Sequence, residues 1–391
     1  MRKIAVVTGS RAEYGLLKPL LSAIESEKSM QLSLLVTGMH LTPKFGNTYK
    51  QIEEDGFTID AMVEDGLDGD TSVAVTKAMG TVLIGFADVF DEIKPDILVV
   101  LGDRSEILSA VIAAVIANIP VAHIHGGETT EGAYDEYIRH ALTKMSQLHF
   151  TSTETYRNRV IQLGEHPDRV FNVGAIGIDS IRKLELYDKK TFEKSISKPL
   201  DKKSALITFH PVTLENATAS FQFGELLEAL DRLEKTTLIF TKPNSDRDGL
   251  VIIEMIDDYV SKNPDKAIAF PSLGQLRYLS ALQYVTFVIG NSSSGILEVP
   301  YFKIPTINIG DRQKGRLAPD SVIHCEPNFK AISEAISKSQ DPCFRKSIKS
   351  QKNLYGEGHT TEEIVKQLHR FDITKTKKTF YDLKNIAFEK L

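Results

Sequence analysis

The chain contains no tryptophan and only two cysteines, Cys325 and Cys343, among 391 residues. Two thiols supply neither a disulfide framework nor a thiolate cage for a metal. Long apolar runs are also scarce: no stretch approaches the ~18 consecutive apolar residues of a membrane span. The opening MRKIAVVTGS has a short basic start, but its apolar run has only a strand's length and leads into a polar turn rather than a cleavage site. Charge of one sign is lacking too, since 47 Lys and Arg oppose 52 Asp and Glu for a net charge of -5. Such a balance gives no general attraction to nucleic acid or to an anionic membrane, so a phosphate-bearing ligand must be captured by a few placed cations and backbone donors. Together these features point to the cytoplasm, with neither nucleic acid nor membrane as partner.

What is present is alternation. Short apolar runs (Lys3 to Thr8, Leu32–Val36, Asp96–Leu101, Pro120–His125, Leu148–Thr151) are separated by stretches of helical period such as Val73–Glu92, Glu106–Ala117 and Tyr134–Met145. This is the signature of a parallel sheet with helical crossovers. After Val170–Ile178 the text turns charged and lysine-rich, and a second alternation begins at Ala205–Phe209 and runs through Thr286–Ile289 and Thr306–Ile309. A chain this long exceeds the ~250–300 residues at which single cores stop growing. The expected architecture is therefore α/β, two Rossmann-like doubly wound domains with the ligand cleft between them: residues 1–182, a connection at 183–203, a second domain at 204–360, and a polar helical tail at 361–391 able to pack back on the first domain. No internal repeat or low-complexity tract interrupts this plan.

In open α/β sheets ligands bind where strands end and helices begin, and the unusual residues lie there. Thr8-Gly9-Ser10-Arg11-Ala12-Glu13-Tyr14-Gly15 joins a strand to a helix. Glycine allows close backbone approach, and Arg11 stands beside a helix N-terminus whose free amides attract anions; a turn with a solvated arginine fits equally well. Gly290-Asn291-Ser292-Ser293-Ser294-Gly295 also lies between strand and helix. Three serines between two glycines exceed what an N-cap requires, which favours a diphosphate site. Arg312 and Arg316, on the following Gly310–Arg316 loop, form either a solvated basic patch or a diphosphate clamp; two candidate anion loops in one domain reinforce each other.

Proton chemistry has its own cluster. Asp103 ends DILVVLGD and is followed by Arg104 and Glu106; His123, His125 and Glu128 end the next strand; Asp135, Glu136, Arg139 and His140 open a helix. Carboxylates near arginines change their proton affinity, and imidazole titrates near neutrality, so this group can run acid and base steps at one pH. A metal held by His123 and His125 is disfavoured, because the two rings share a side only if the strand stays regular and no nearby residue completes a ligand set. His149 reads as a packed or surface histidine. In the second half, His210-Pro211 ends SALITFH, with Asn244, Ser245 and Asp246 after TLIFTKP; proline keeps His210 extended at its strand end.

At these motifs the chain resembles the UDP-N-acetylglucosamine 2-epimerase family, in its hydrolysing branch. The resemblance rests on TGSRAEYG, VTGMH with FGNTY, LGDR, HIHGGE, DEYIRHALTKMS, FHPVT, GNSSSGILEVP and NIGDRQKGR, in the family's order over residues 3–316. It implies a GT-B-like pair of Rossmann domains that opens and closes. The implied reaction converts UDP-N-acetylglucosamine and water into N-acetylmannosamine and UDP, on a route to sialic acid, with no cofactor and no metal. It also implies UDP-binding roles for Arg11, Ser292, Ser293, Ser294, Gly295, Glu298 and Arg312. Asp103, Asp135, His125, His210 and Glu128 become the catalytic pool, and Arg104, Arg139 and Asn244 the sugar-binding set. His125 departs from the non-hydrolysing enzymes, which carry glutamate there.

The expected mechanism is elimination of UDP to a glycal followed by hydration. Other readings are a sister hydrolase acting on a UDP-diacetamido-trideoxy sugar, a GT-B glycosyltransferase, and a sugar-nucleotide sensor; the carboxylate-rich strand ends argue against the sensor. Further copies of the chain, in a homodimer or higher homo-oligomer, are the expected protein partner, with the apolar helix Val73–Phe90 as a candidate dimer face.

Overall fold

The computed structural model describes residues 1–43, 46–66, 71–129, 134–211, 219–243 and 247–383. They form two compact units, Met1–Ser180 with Tyr355–Leu391, and Ile181–Leu354.

The first unit holds seven parallel strands, β1 (Arg2–Thr8), β2 (Met30–Thr37), β3 (Ala61–Val63), β4 (Ile97–Leu101), β5 (Val121–Ile124), β6 (Leu148–Thr151) and β7 (Val170–Asn172), in the order β3-β2-β1-β4-β5-β6-β7. Between them run α1 (Arg11–Ser26), α2 (Tyr49–Glu54), α3 (Ser72–Ile93), α4 (Ser105–Ile116), α5 (Asp135–Met145) and α6 (Glu154–Gln162), with α7 (Ile176–Lys183) after β7. Strand β4 shows why its sequence is a continuous apolar run. Ile97, Val99 and Leu101 join the core under α1, while Leu98 and Val100 join the core under α3 and α4; a sheet covered on both faces has no polar side. The order reverses between β1 and β4, so the chain leaves these neighbouring strands toward opposite faces. That switch point opens a crevice at their carboxyl ends.

Helix α3 buries Ala78, Val82, Phe86 and Phe90 at helical spacing. Its Gly85 rests on Val63, where a Cβ would intrude. Contrary to the expectation that no segment reaches a membrane span's dimensions, α3 is long and apolar enough to cross one by length and composition. Its apolar excess lies partly at the surface, with Ile84 70% exposed.

The second unit begins with α8 (Lys189–Ser195), inside the lysine-rich stretch read as a bare connection; Phe192, fully buried and stacked on Tyr284, anchors it. Six parallel strands follow, β8 (Lys203–Thr208), β9 (Thr236–Thr241), β10 (Ala267–Phe270), β11 (Phe287–Gly290), β12 (Thr306–Ile309) and β13 (Val322–Cys325), in the order β10-β9-β8-β11-β12-β13. Their helices are α9 (Ala219–Asp231), α10 (Arg247–Lys262), α11 (Gly274–Leu282), α12 (Ser294–Leu297), α13 (Phe329–Gln340) and α14 (Pro342–Ser350). Here the switch point lies between β8 and β11.

The chain then returns to the first unit. Helix α15 (Thr360–Arg370) places Ile364 and Leu368 in the core with Leu17, Leu20 and Ile24 of α1. The buried Asp179 accepts the Thr360 and Thr361 amides at 3.0 and 2.6 Å, satisfying the helix's first free donors. The tail is helical only to Arg370, whereas the sequence suggested a helix reaching further. Residues beyond it run without regular structure to Leu383. Lys378 nonetheless donates to the carbonyls of Lys144 and Ser146 at the end of α5, at 2.5 and 2.6 Å, and pairs with Glu165.

Candidate active site

Both switch points are lined by the residues that the motifs singled out. In the first unit, Gly9–Arg11 follow β1 and Gly102–Arg104 follow β4, its neighbour in the sheet. Ser10 caps α1 by accepting the Glu13 amide. Glu13 turns back so that Gly9 donates its N–H to the carboxyl Oε2 at 2.6 Å, while Oε1 is buried without a hydrogen-bond partner. Glu106, from the first turn of α4, lies against Gly9 and Gly38, where a Cβ on Gly9 would collide with its carboxylate. Arg104 donates to that same carboxylate. Burial pushes Glu13 up to about 8, opposed by the Gly9 hydrogen bond and reinforced by Glu106.

The adjoining strand ends carry a charged network built on one arginine. Arg139 is 4% exposed. Its guanidinium pairs with Asp103 and lies 3.4 Å from Glu128 Oε2. Glu128 Oε1 accepts from Ser152 Oγ at 2.7 Å and lies 3.4 Å from His125 Nδ1. Since the Ile176 amide donates to His125 Nε2 at 3.3 Å, the ring proton belongs on Nδ1, facing the carboxylate. Both oxygens of Glu128 are therefore engaged in holding Arg139, His125 and Ser152. Asp135, at the first turn of α5 and one turn before Arg139, has its proton affinity raised by burial and by the charge of Asp103.

The two histidines of the first motif diverge. Strand β5 ends at Ile124, and His125 adopts φ +66°, outside strand geometry. His123 stays under the sheet, donating from Nε2 to Gly102 O at 2.7 Å with Thr143 at its other nitrogen; burial pushes it down to about 3, so it remains neutral. Among the described residues no group of three or more His, Cys, Asp or Glu side chains is disposed to hold a metal ion. His149 is fully buried against Glu165 at 3.0 Å.

In the second unit, His210 follows β8 and Asn291 to Ser294 follow β11. Gly290 has φ +145° and lies so close to β8 that a Cβ would strike the Thr208 carbonyl. Asn291, 1% exposed, joins its amide side chain to the backbone N–H and C=O of His210 at 2.7 and 2.8 Å. Its own carbonyl accepts from Arg312 at 3.1 Å and from Gln313 at 3.0 Å. Helix α12 is only four residues long, and the Ser293 side chain makes no cap bond. Ser292 and Ser293 remain partly open, whereas the Ser294 hydroxyl donates to Glu298 and takes a hydrogen bond from Tyr278. Glu298 is raised by burial. Gly295 is pressed onto Thr306, which donates to its carbonyl at 2.7 Å.

Each unit thus gathers its own set. Asp103, Arg104, His125, Glu128, Asp135 and Arg139 converge with Arg11 nearby on the β1–α1 turn; His210, Ser292 to Gly295, Glu298 and Arg312 surround the β8–β11 switch point. Asn244 lies outside the described residues. Glu106 belonged to the proton-chemistry cluster of the sequence, whereas Glu13, Ser152, Tyr278 and Asn291 had no role of their own there. Asn291 and Glu13 stood inside quoted motifs, but nothing local signals that one grips a strand 81 positions away or that the other is buried.

Two doubly wound sheets, each with polar and ionisable groups at its switch point, define an α/β enzyme of the Rossmann-like, GT-B-like class. The family profile described as UDP-N-acetylglucosamine 2-epimerase matches residues 22–369, and the chain belongs to that family. It is 43% identical over 88% of its length to the GDP/UDP-N,N'-diacetylbacillosamine 2-epimerase (hydrolyzing) of Campylobacter jejuni, covering 89% of that protein. It is 41% identical to the polysialic acid biosynthesis protein P7 of Escherichia coli, with 98% of each chain covered. Among solved structures, UDP-GlcNAc 2-epimerase from Neisseria meningitidis bound to UDP-GlcNAc superposes with a TM-score of 0.75 at 20% identity, over 94% of this chain and 100% of that one. That likeness extends to the fold.

Proposed function

We propose that the protein is a hydrolysing UDP-sugar 2-epimerase acting on UDP-N-acetylglucosamine and releasing N-acetylmannosamine and UDP. The observation that supports it most is the buried Arg139 holding Asp103 and Glu128, with His125 just past the end of β5 and Asp135 in the first turn of α5. Binding alone does not call for such a cluster, whereas moving a proton to and from carbon does. A base removes the proton from sugar C2 while the C1–O bond breaks and its electron pair leaves with UDP. Water then adds at C1 of the glycal, and C2 is reprotonated on the other face.

Asp103, Asp135 and His125 are the groups we assign to these transfers, and His210 is also assigned to the substrate. Glu128, both of whose oxygens are occupied, orients His125 and Arg139. Arg104 and Arg139 serve the sugar side. Arg11, Ser292, Ser293 and Arg312 supply donors and charge for the departing diphosphate, and Glu298 with Ser294 and Tyr278 completes the nucleotide site. A second substrate reading is favoured by the 43% identity to the bacillosamine enzyme: a UDP-diacetamido-trideoxy sugar.

Incubation with each UDP-sugar, followed by proton NMR, separates the two. Free N-acetylmannosamine from UDP-N-acetylglucosamine supports the first reading, turnover of only the diacetamido sugar supports the second, and turnover of neither sinks both. Asp103→Asn and Asp135→Asn should lower turnover by ~10²–10⁴-fold while leaving UDP affinity intact. Exposed Ile84 on α3, Ile116 on α4 and Tyr137 on α5 belong to packed neighbouring helices. We assign this apolar surface to a second copy of the chain, and Ile84→Glu should convert a dimer to a monomer in sedimentation.

A further inference from the structure

Beyond its last ladder pair, Gly290 opposite Thr208, the β8–β11 pairing would ordinarily end. Helices following strands at a switch point depart to opposite faces, so the two chains must separate here. They do not separate at once. The Asn291 amide still donates to Thr208 O at 3.1 Å, and the Asn291 side chain then takes both backbone polar groups of His210. A carboxamide presents a carbonyl acceptor beside an N–H donor, as the backbone of a paired strand does, so this side chain supplies the pairing that the next residue of β11 no longer provides.

The alternatives fail on chemistry. Aspartate would set an oxygen against the His210 carbonyl, serine is too short to reach both groups, and an apolar residue would remove both hydrogen bonds from these partly buried groups. Pro211 has no N–H, so the chain beyond His210 cannot extend the ladder itself. Beneath the strand end, Phe209 is 2% exposed and packs on Phe223 with ring centroids 5.5 Å apart. His210 is thus fixed from below by packing and from the side by Asn291.

Asn291 also has a second, separable attachment. Its backbone carbonyl, not its side chain, receives Arg312 and Gln313. We propose that the Asn291 side chain is a positioning residue for His210, setting the imidazole at the β8 end, while the Asn291 backbone independently seats Arg312 for the diphosphate. This rests on the reading of His210 as a group that acts on the substrate. Truncating the side chain removes the first function and spares the second.

The test is Asn291→Ala in the full-length protein, with Asn291→Ser as a second variant should alanine not fold. Turnover of whichever UDP-sugar the wild type consumes should fall ~10–100-fold, the scale of a misplaced reacting group, with UDP affinity by calorimetry held within about threefold. In a cycle with His210→Asn the two losses should be strongly non-additive. The His210 imidazole NMR signals, assigned by their loss in His210→Asn, should shift in the Asn291 variant while those of His149 stay. Wild-type turnover in Asn291→Ala, equal losses of turnover and UDP affinity, additive losses, or unmoved His210 signals would each overturn the inference. Full turnover in His210→Asn would instead show that the role given to His210 is wrong, and the positioning role falls with it.

Discussion

Glu13 should make the first unit lose stability as pH rises from mildly acidic to mildly alkaline. Its carboxyl is buried against Gly9, Glu106 and Arg104, and its folded value is raised to about 8 from an ordinary 4.5. Below 4.5 the proton is bound in both folded and unfolded chains, so the group contributes no pH dependence. Between 4.5 and 8 the unfolded chain releases the proton while the folded chain keeps it, so unfolding grows steadily easier; above 8 both have lost it. Each unit of separation is worth about 1.4 kcal/mol, and the full window amounts to an effect on the order of 5 kcal/mol. Glu13→Gln removes the titrating proton while keeping an acceptor for the Gly9 amide. The variant should therefore be more stable than wild type at pH 8, by an amount on the order of 2–4 kcal/mol, with the gap closing toward pH 5. The absence of tryptophan makes circular dichroism in urea the natural probe, with hydrogen exchange of the Val7–Leu17 peptide at both pH values as the local readout. Effects from the other buried groups, such as His123, cancel in the comparison. Identical pH slopes for wild type and Glu13→Gln, or a variant weaker at pH 8, would refute the assignment of a protonated Glu13.

Other expectations follow from single contacts. Arg139→Met leaves the buried Glu128 and the half-buried Asp103 without this cation and should cost ~3 kcal/mol of first-unit stability as well as turnover; Arg139→Lys should restore little, because one ammonium cannot replace a two-ended fork. Gly290→Ala drives a Cβ into the Thr208 carbonyl and should destabilise the second unit by ~2 kcal/mol or more in urea, so an unchanged midpoint would show that β11 can move aside. Arg312→Ala should weaken UDP binding by ~10–100-fold, as expected for the loss of a charge-assisted contact, whereas unchanged calorimetric affinity would remove Arg312 from the nucleotide site.

The sequence by itself determined the repeated strand–helix alternation and the ends at which chemistry is placed. Strands buried on both faces, such as IAVVT and ILVVL, must be continuous apolar runs, and the turns after them must be glycine-rich to bring backbone close to ligand or neighbour. Short edge strands escaped that logic: β3 and β7 have three residues each, too few to show a period. Helix α8 hides in lysines because only Phe192 is buried along it. The candidate site was legible as residue types at strand ends, but its wiring was not. Arg139 meets Asp103 across 36 positions, and His125 leaves its strand through a left-handed backbone that no spacing rule anticipates. The proton affinity of Glu13 depends on Glu106 and on exclusion of water, both created by the packing of α4 against the β1 turn. Local pattern sets which residues face a core or a turn; which charges become neighbours, and how little water remains between them, is decided only when the sheet orders its strands.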